Sequence, residues 1–154
     1  MILWCALGFQ IPCFIHIQKY VLGRPTFITK SLIFQMLIMP LGCIPQMMLK
    51  DISDTDGDRK NGIETISTQI GEERAFDIAI KILLVGYGFA MVVGASSSLW
   101  FGKLIAIFGH LVLALAIWNR SQNTDPKNPP ATQSFYMFFF KVTSLEYLLI
   151  HCYR

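Results

Sequence analysis

The segment KDISDTDGDRKNG, residues 50–62, places four aspartates within eight positions and flanks them with Lys50, Arg59 and Lys60. On a continuous helix turning about 100° per residue, Asp51, Asp54 and Asp58 fall within about 60° of one another, with Asp56 on the far side. Three carboxylates on one face repel one another unless a cation sits among them. Oxygen-only ligation of that kind suits Mg²⁺, which keeps several waters and shares its shell with phosphate oxygens. The flanking cations supply positive charge for an anion that the metal would bridge. The chemistry these residues could support is a Mg²⁺–diphosphate site.

Two other readings use the same residues. An EF-hand loop starting at Asp54 has Asp at its first, third and fifth positions, but Arg59 stands where Gly belongs and Thr65 where Glu belongs. Shifting the register so that Gly57 supplies the glycine puts Ile52 at the first ligand position. Both registers fail. A solvated charged loop capping a helix remains open on composition, because helix-face spacing of three residues arises easily by chance.

The rest of the chain is apolar. Of 154 residues, 53% are hydrophobic and 15% charged, against about a quarter charged in a soluble domain. Mean hydropathy is +0.48. Residues 1–18 and 31–49 carry no charge, residues 82–119 carry only Lys103, and residues 135–152 hold Lys141 and Glu146. A bilayer-spanning helix needs about 20 mainly apolar residues. The pattern predicts an all-α, polytopic membrane helical bundle in a single domain over 1–154, with five spans near 1–18, 31–49, 78–97, 100–118 and 134–152. The aspartates stand at the mouth of that bundle, facing a lipid bilayer setting. Residues 1–18 lack the basic start and small-residue cleavage pattern of a signal peptide. A net charge of +3 without a basic stripe gives no nucleic-acid partner.

Smaller features complete the outline. Pro40 and Pro45 predict a kink in the second span. Gly57 and Gly62 weaken and then end the helix that carries the aspartates. Ile63, Ile66 and Ile70 have the spacing of a short interfacial helix, and residues 119–134 read as an irregular connection. Cys5, Cys13, Cys43 and Cys152 form no CxxC pair and read as small buried hydrophobes. His16, His110 and His151 are isolated and read as hydrogen-bonding within the bundle. Lys141 and Glu146 are about 140° apart on a helix, so each faces the cavity or snorkels.

The aspartate segment resembles the second aspartate-rich motif of the UbiA superfamily of intramembrane aromatic prenyltransferases, whose plant members carry a KD-x-x-D-x-x-GD pattern. IETISTQIGEERAF (63–76) is similar to the family's loop after that motif, with Gly71 and Ala75 in its small-residue places. VLGRPTF (21–27), GYGFAMVVGASSS (86–98), FGHLVLALAIWNRSQ (108–122) and TQSFYMFFFKVTSLEYLLI (132–150) resemble the plant homogentisate phytyltransferase-like branch. That branch includes the flavonoid, isoflavonoid and coumarin prenyltransferases.

The resemblance implies a nine-helix fold around a central cavity, of which the five spans would be the C-terminal half, helices five to nine. It implies Asp51, Asp54 and Asp58 as Mg²⁺ ligands, with Lys50 and, more weakly, Arg59 and Lys60 as diphosphate contacts. It also implies transfer of a prenyl group from a prenyl diphosphate to an aromatic small-molecule acceptor, of the homogentisate, flavonoid or coumarin type, in a plastid membrane. No catalytic residue is assigned. The chain departs from the family in lacking the first, N-x-x-x-D-x-x-x-D type motif, and no Asp or Glu occurs before Lys50. Phe140 stands where the branch commonly has tryptophan, and Thr143 and Ser144 where it has aromatic and small residues. The expectation is therefore a partial enzyme, holding half the diphosphate site and inactive alone. The alternative is a non-catalytic membrane protein that associates with a full-length prenyltransferase. A transporter would carry its charges along a pathway through the bundle, whereas here they gather at one mouth.

Overall fold

The structure, a computed structural model, describes residues 12–25, 42–96 and 99–150, with side chains as far as 146. The described residues are helical with no strand. Helix α1 covers 12–16 and continues as a π-turn over Ile17–Val21. Helix α2 covers 42–52, with Pro45 buried inside it. Two short helices follow, α3 (Thr55–Lys60) and α4 (Ile66–Ile70), and then three long ones: α5 (Glu72–Gly94), α6 (Trp100–Gln122) and α7 (Pro129–Ile150). The predicted spans 1–18 and 31–49, and with them Pro40, lie largely outside the described residues.

Helical periodicity selects the core. On α5, Ala75, Phe76, Ala79, Ile80, Leu83 and Tyr87 recur at three- and four-residue steps and are buried. They meet Met48, Leu49 and Ile52 of α2, Leu113 and Ile117 of α6, and Phe135, Phe139 and Val142 of α7. The Phe76 and Phe135 rings meet edge to face, centroids 5.0 Å apart, a favoured arrangement of aromatic quadrupoles. Packing is most extensive between α5 and α6.

The outside of the bundle is also apolar. Val85, Val92, Phe101, Phe108 and Val112 are all exposed. Among the described residues, α5 and α6 are long and apolar enough to cross a membrane. The core helix of a soluble protein passes the same test but is mostly covered, whereas only 39% of the α5 window and 28% of the α6 window is buried.

Two boundaries differ from the sequence expectation. Helix α5 starts at Glu72, not near 78, because Glu72 and Glu73 complement the positive end of the helix dipole in its first turn. The connection expected over 119–134 shrinks to 123–128. Helix α6 continues to Gln122, with Ser121 Oγ donating to the Trp118 carbonyl at 2.7 Å. Pro129 and Pro130 occupy the first helical positions of α7, where a missing N–H costs nothing.

Candidate functional site

The aspartate segment does not form one continuous helix. Helix α2 ends at Ile52, residues 53 and 54 form a turn, and α3 restarts at Thr55. Hydroxyl side chains explain the break. Ser53 Oγ donates to the Lys50 carbonyl at 2.7 Å, and Thr55 Oγ1 donates to the Ile52 and Asp51 carbonyls at 3.0 and 3.2 Å. These acceptors would otherwise serve the backbone ladder, and local Ser/Thr bonds of this kind compete with it. The Asp51 carbonyl also takes the Asp54 amide at 3.2 Å and, from across the loop, Ser67 Oγ at 3.3 Å. Ser67 is buried on α4, whose start is fixed by a capping box between Thr65 and Thr68. The turn is thereby tied to the loop that follows it.

Asp54 lies at the junction with φ −117° and ψ 11°, and its side chain makes no cap bond. It lies instead over Gly57, where a Cβ atom would come 2.6 Å from Asp54 Oδ1. Gly57 is therefore inside α3, making room for a carboxylate. The expected terminator is Gly62, whose φ of +66° follows the last residues of α3. Asp56 and Asp58 occupy the first turn of α3 and Arg59 and Lys60 its last, as the helix dipole favours.

The continuous helix expected to carry Asp51, Asp54 and Asp58 is thus corrected to two helices joined by a turn at residues 53 and 54. Asp51 is half-buried, and Lys50 Nζ stands 3.7 Å from its Oδ1. Burial pushes the Asp51 carboxyl up from its ordinary value, Lys50 pulls it back, and the charges of Asp58 and Asp54 push it up again. Asp51 therefore senses both neighbouring carboxylates. Yet among the described residues no group of three His, Cys, Asp or Glu is close enough to hold a metal ion. The set does not form a protein-only cage. One or two carboxylates do fit a Mg²⁺ that completes its shell with water and phosphate oxygens.

The cations divide. Lys50 faces Asp51, whereas Arg59 lies between Asp56, at 3.6 Å, and Glu72, at 3.5 Å. Lys60 is exposed and makes no ion pair among the described residues. Asp56 lines a crevice of about 130 Å³ with Glu72 and Lys127, so it belongs to the other side of the turn. Lys127 Nζ reaches Glu73 Oε1 at 3.0 Å, joining the loop 123–128 to the start of α5. Ile63, Ile66 and Ile70 are all exposed on the same loop, as an interfacial helix requires.

A second group of polar residues lies deeper. Tyr87, His110 and Glu146 converge on one cavity between α5, α6 and α7, and Tyr87 is about 22 Å along α5 from Glu72 at 1.5 Å per residue. Sequence reasoning left Glu146 and His110 without a joint role and did not single out Tyr87. The available signal was a carboxylate, an imidazole and a phenol each isolated in an otherwise apolar span.

Residues 1–142 match the UbiA prenyltransferase family. The chain is 45% identical over 154 residues to coumarin 8-geranyltransferase 1, chloroplastic, of Citrus limon, which covers the whole chain and 38% of that protein. It is 43% identical over 145 residues to homogentisate geranylgeranyltransferase of Hordeum vulgare, covering 94% of the chain and 36% of that protein. Homogentisate phytyltransferase 1, chloroplastic, of Arabidopsis thaliana is 36% identical over 145 residues, covering 94% of the chain and 37% of that protein. The chain thus spans less than two-fifths of the length of these relatives. No solved structure matches.

Proposed function

The chain belongs to the UbiA prenyltransferase family, and on that footing we propose that it supplies a diphosphate-binding part of an aromatic prenyltransferase. The reaction is transfer of a prenyl group from a prenyl diphosphate to an aromatic acceptor of the homogentisate, flavonoid or coumarin type. The relatives' names carry these acceptors and several prenyl lengths. The setting is a plastid membrane, with the helices described here belonging to a larger helical bundle. The bare apolar exteriors of α5 and α6 support insertion, and the chloroplastic relatives support the compartment.

One observation carries the site reading: Lys50, Asp51, Asp54 and Asp58 gather around the tethered break between α2 and α3, where Asp51 senses the charges of Lys50, Asp58 and Asp54. In the proposed mechanism one or two of the carboxylates of Asp51, Asp54 and Asp58 would hold Mg²⁺, which would supply charge neutralisation for the leaving diphosphate. Lys50, exposed beside Asp51, adds a cation to the same anion, and Arg59 and Lys60 flank it. As the allylic C–O bond breaks, diphosphate departs with the bonding pair. A ring carbon of the acceptor then bonds to the prenyl carbon and loses its proton. Apolar helix surfaces accommodate the prenyl chain and keep water from the cation.

The test is Mg²⁺-dependent binding of geranylgeranyl diphosphate to the chain in lipid nanodiscs. Asp54→Ala and Asp58→Ala should each abolish it while leaving helicity and melting unchanged. Binding that survives both substitutions would sink the site assignment.

A further inference from the structure

An open crevice of about 330 Å³ lies between the start of α5, the end of α6 and the loop 123–128. Small-ligand pockets of this size combine apolar walls with a few convergent polar groups. Here buried Phe76 and Ile80 form an apolar floor, and the rim carries Glu73, Asp77, Trp118 and Gln122. The crevice sits where both helices change character. Beyond Lys81, α5 has no charged residue as far as Gly94, and α6 has none between Lys103 and Arg120. Trp118, half exposed at that boundary, has the place of an interfacial aromatic anchor.

From the crevice an apolar face leads into the lipid layer. Leu111, Leu115, Trp118 and Gln122 follow one another at four- and three-residue steps along α6, and both leucines are exposed. Asp77, Lys81, Leu84 and Gly88 do the same along α5, and a Cβ atom at Gly88 would meet nothing within 4 Å. A polar pocket continued by an apolar groove fits an amphiphile. The charges then select its headgroup. Lys81 Nζ is held by Asp77 Oδ2 at 2.6 Å, and Lys127 Nζ by Glu73 Oε1 at 3.0 Å. Two cations answer two carboxylates, so no uncompensated positive charge is left for the phosphate of a phospholipid, which basic pockets recognise. Hydrogen-bonding capacity of both kinds does remain. The Gln122 amide and the Trp118 indole N–H make no hydrogen bond among the described residues, and each carboxylate keeps lone pairs beyond those facing its lysine. Hydroxyl groups, which both donate and accept, satisfy such a set without breaking an ion pair. The Trp118 ring adds a flat apolar face for the C–H side of a sugar. We propose that this crevice binds the uncharged sugar headgroup of a glycosyl diacylglycerol, with an acyl chain along the groove between α5 and α6. The site rests on the membrane setting proposed above and on none of its catalytic chemistry.

Lipid retention tests it. The full chain is placed in phosphatidylcholine nanodiscs containing equal minor fractions of monogalactosyl diacylglycerol and phosphatidylglycerol. It is then released into mild detergent and weighed with its bound lipids by native mass spectrometry. The galactosyl lipid should be retained several-fold over both phospholipids. The double variant Trp118→Leu with Gln122→Ala, at two exposed positions outside the core, should lose that preference, and Lys81→Ala should keep it. Equal retention of the three lipids would overturn the proposal, as would a preference that survives the double variant. Retention of phosphatidylglycerol that Lys81→Ala abolishes would overturn it in favour of an anionic headgroup. A chain that does not enter the nanodiscs overturns the membrane setting as well, whereas one that enters without selectivity overturns this site alone.

Discussion

At the turn between α2 and α3, carboxylates and cations stand largely in water, and their pairs are long, 3.5–3.7 Å. Exposed pairs of this kind contribute little to stability. In the proposed function these charges are the ones offered to an incoming anion and its metal. About 22 Å further along α5, a phenol, an imidazole and a carboxyl lie inside the bundle, where each polar atom needs a fixed partner. Similar side-chain chemistry therefore serves different ends according to depth. At the rim it can exchange partners with a ligand, and in the interior it locks helices together. Substitutions at the two levels should separate cleanly: rim changes act on ligand affinity, and interior changes act on stability.

The largest effect is expected in the interior. Phe135 is fully buried against Phe76, and Phe135→Ala should cost about 3–5 kcal/mol, read from the denaturation midpoint of the chain in nanodiscs. A cost below about 1 kcal/mol would show that the α5–α7 contact does not carry the core. At the rim, if the proposed function holds, Asp58→Ala should lower Mg²⁺-dependent binding of geranylgeranyl diphosphate to the chain by about 10²–10³-fold, the scale of losing one preorganised electrostatic group. Its midpoint should stay put; a fall matching that of Phe135→Ala would erase the distinction between the two levels.

Gly57→Ala is a subtler probe, since its Cβ would displace the Asp54 carboxylate. A loss of about tenfold in diphosphate affinity is expected, the scale of disturbing a group that positions a ligand. If the effect passes through Asp54, combining Gly57→Ala with Asp54→Ala should add nothing to Asp54→Ala alone. The smallest change is a shift in pH dependence. Lys50 holds the Asp51 carboxyl down against burial. Lys50→Ala should therefore raise that pKa further and move the acid limb of Mg²⁺-dependent binding to higher pH. The sign for folding is opposite. Because burial leaves the Asp51 pKa above its unfolded value, its contribution to stability is present at low pH and lost as pH rises through the folded value. Acid should therefore weaken ligand binding without unfolding the turn through Asp51; an acid limb that stays fixed in Lys50→Ala would separate Asp51 from the ligand.

The helical bundle was legible because its signal is repeated many times over, in apolar runs with three- and four-residue burial steps. The charge cluster at the turn was legible as composition but not as geometry. Reading Asp51, Asp54 and Asp58 on one face required an unbroken helix, and the hydroxyls of Ser53 and Thr55 break it by taking the carbonyls of Lys50, Asp51 and Ile52. Ser and Thr are compatible with either outcome inside a helix, so their presence alone could not decide. The pairing of Tyr87 with Glu146 was illegible for another reason. Their meeting depends on the relative rotation of α5 and α7, which packing sets and local sequence does not encode.

The tether from Ser67 to the Asp51 carbonyl also has a consequence for how the protein is made. The hydrogen bonds and ion pairs that shape the aspartate turn, including the Arg59–Glu72 pair, join residues between 50 and 72. Short chain separations close quickly and at low entropic cost. The polar ties of the turn can therefore form before α6 and α7 are made, while the burial of Ile52 waits for those helices. The Tyr87–Glu146 contact must wait until the last helix is in place. The rim is assembled first and the interior is sealed last.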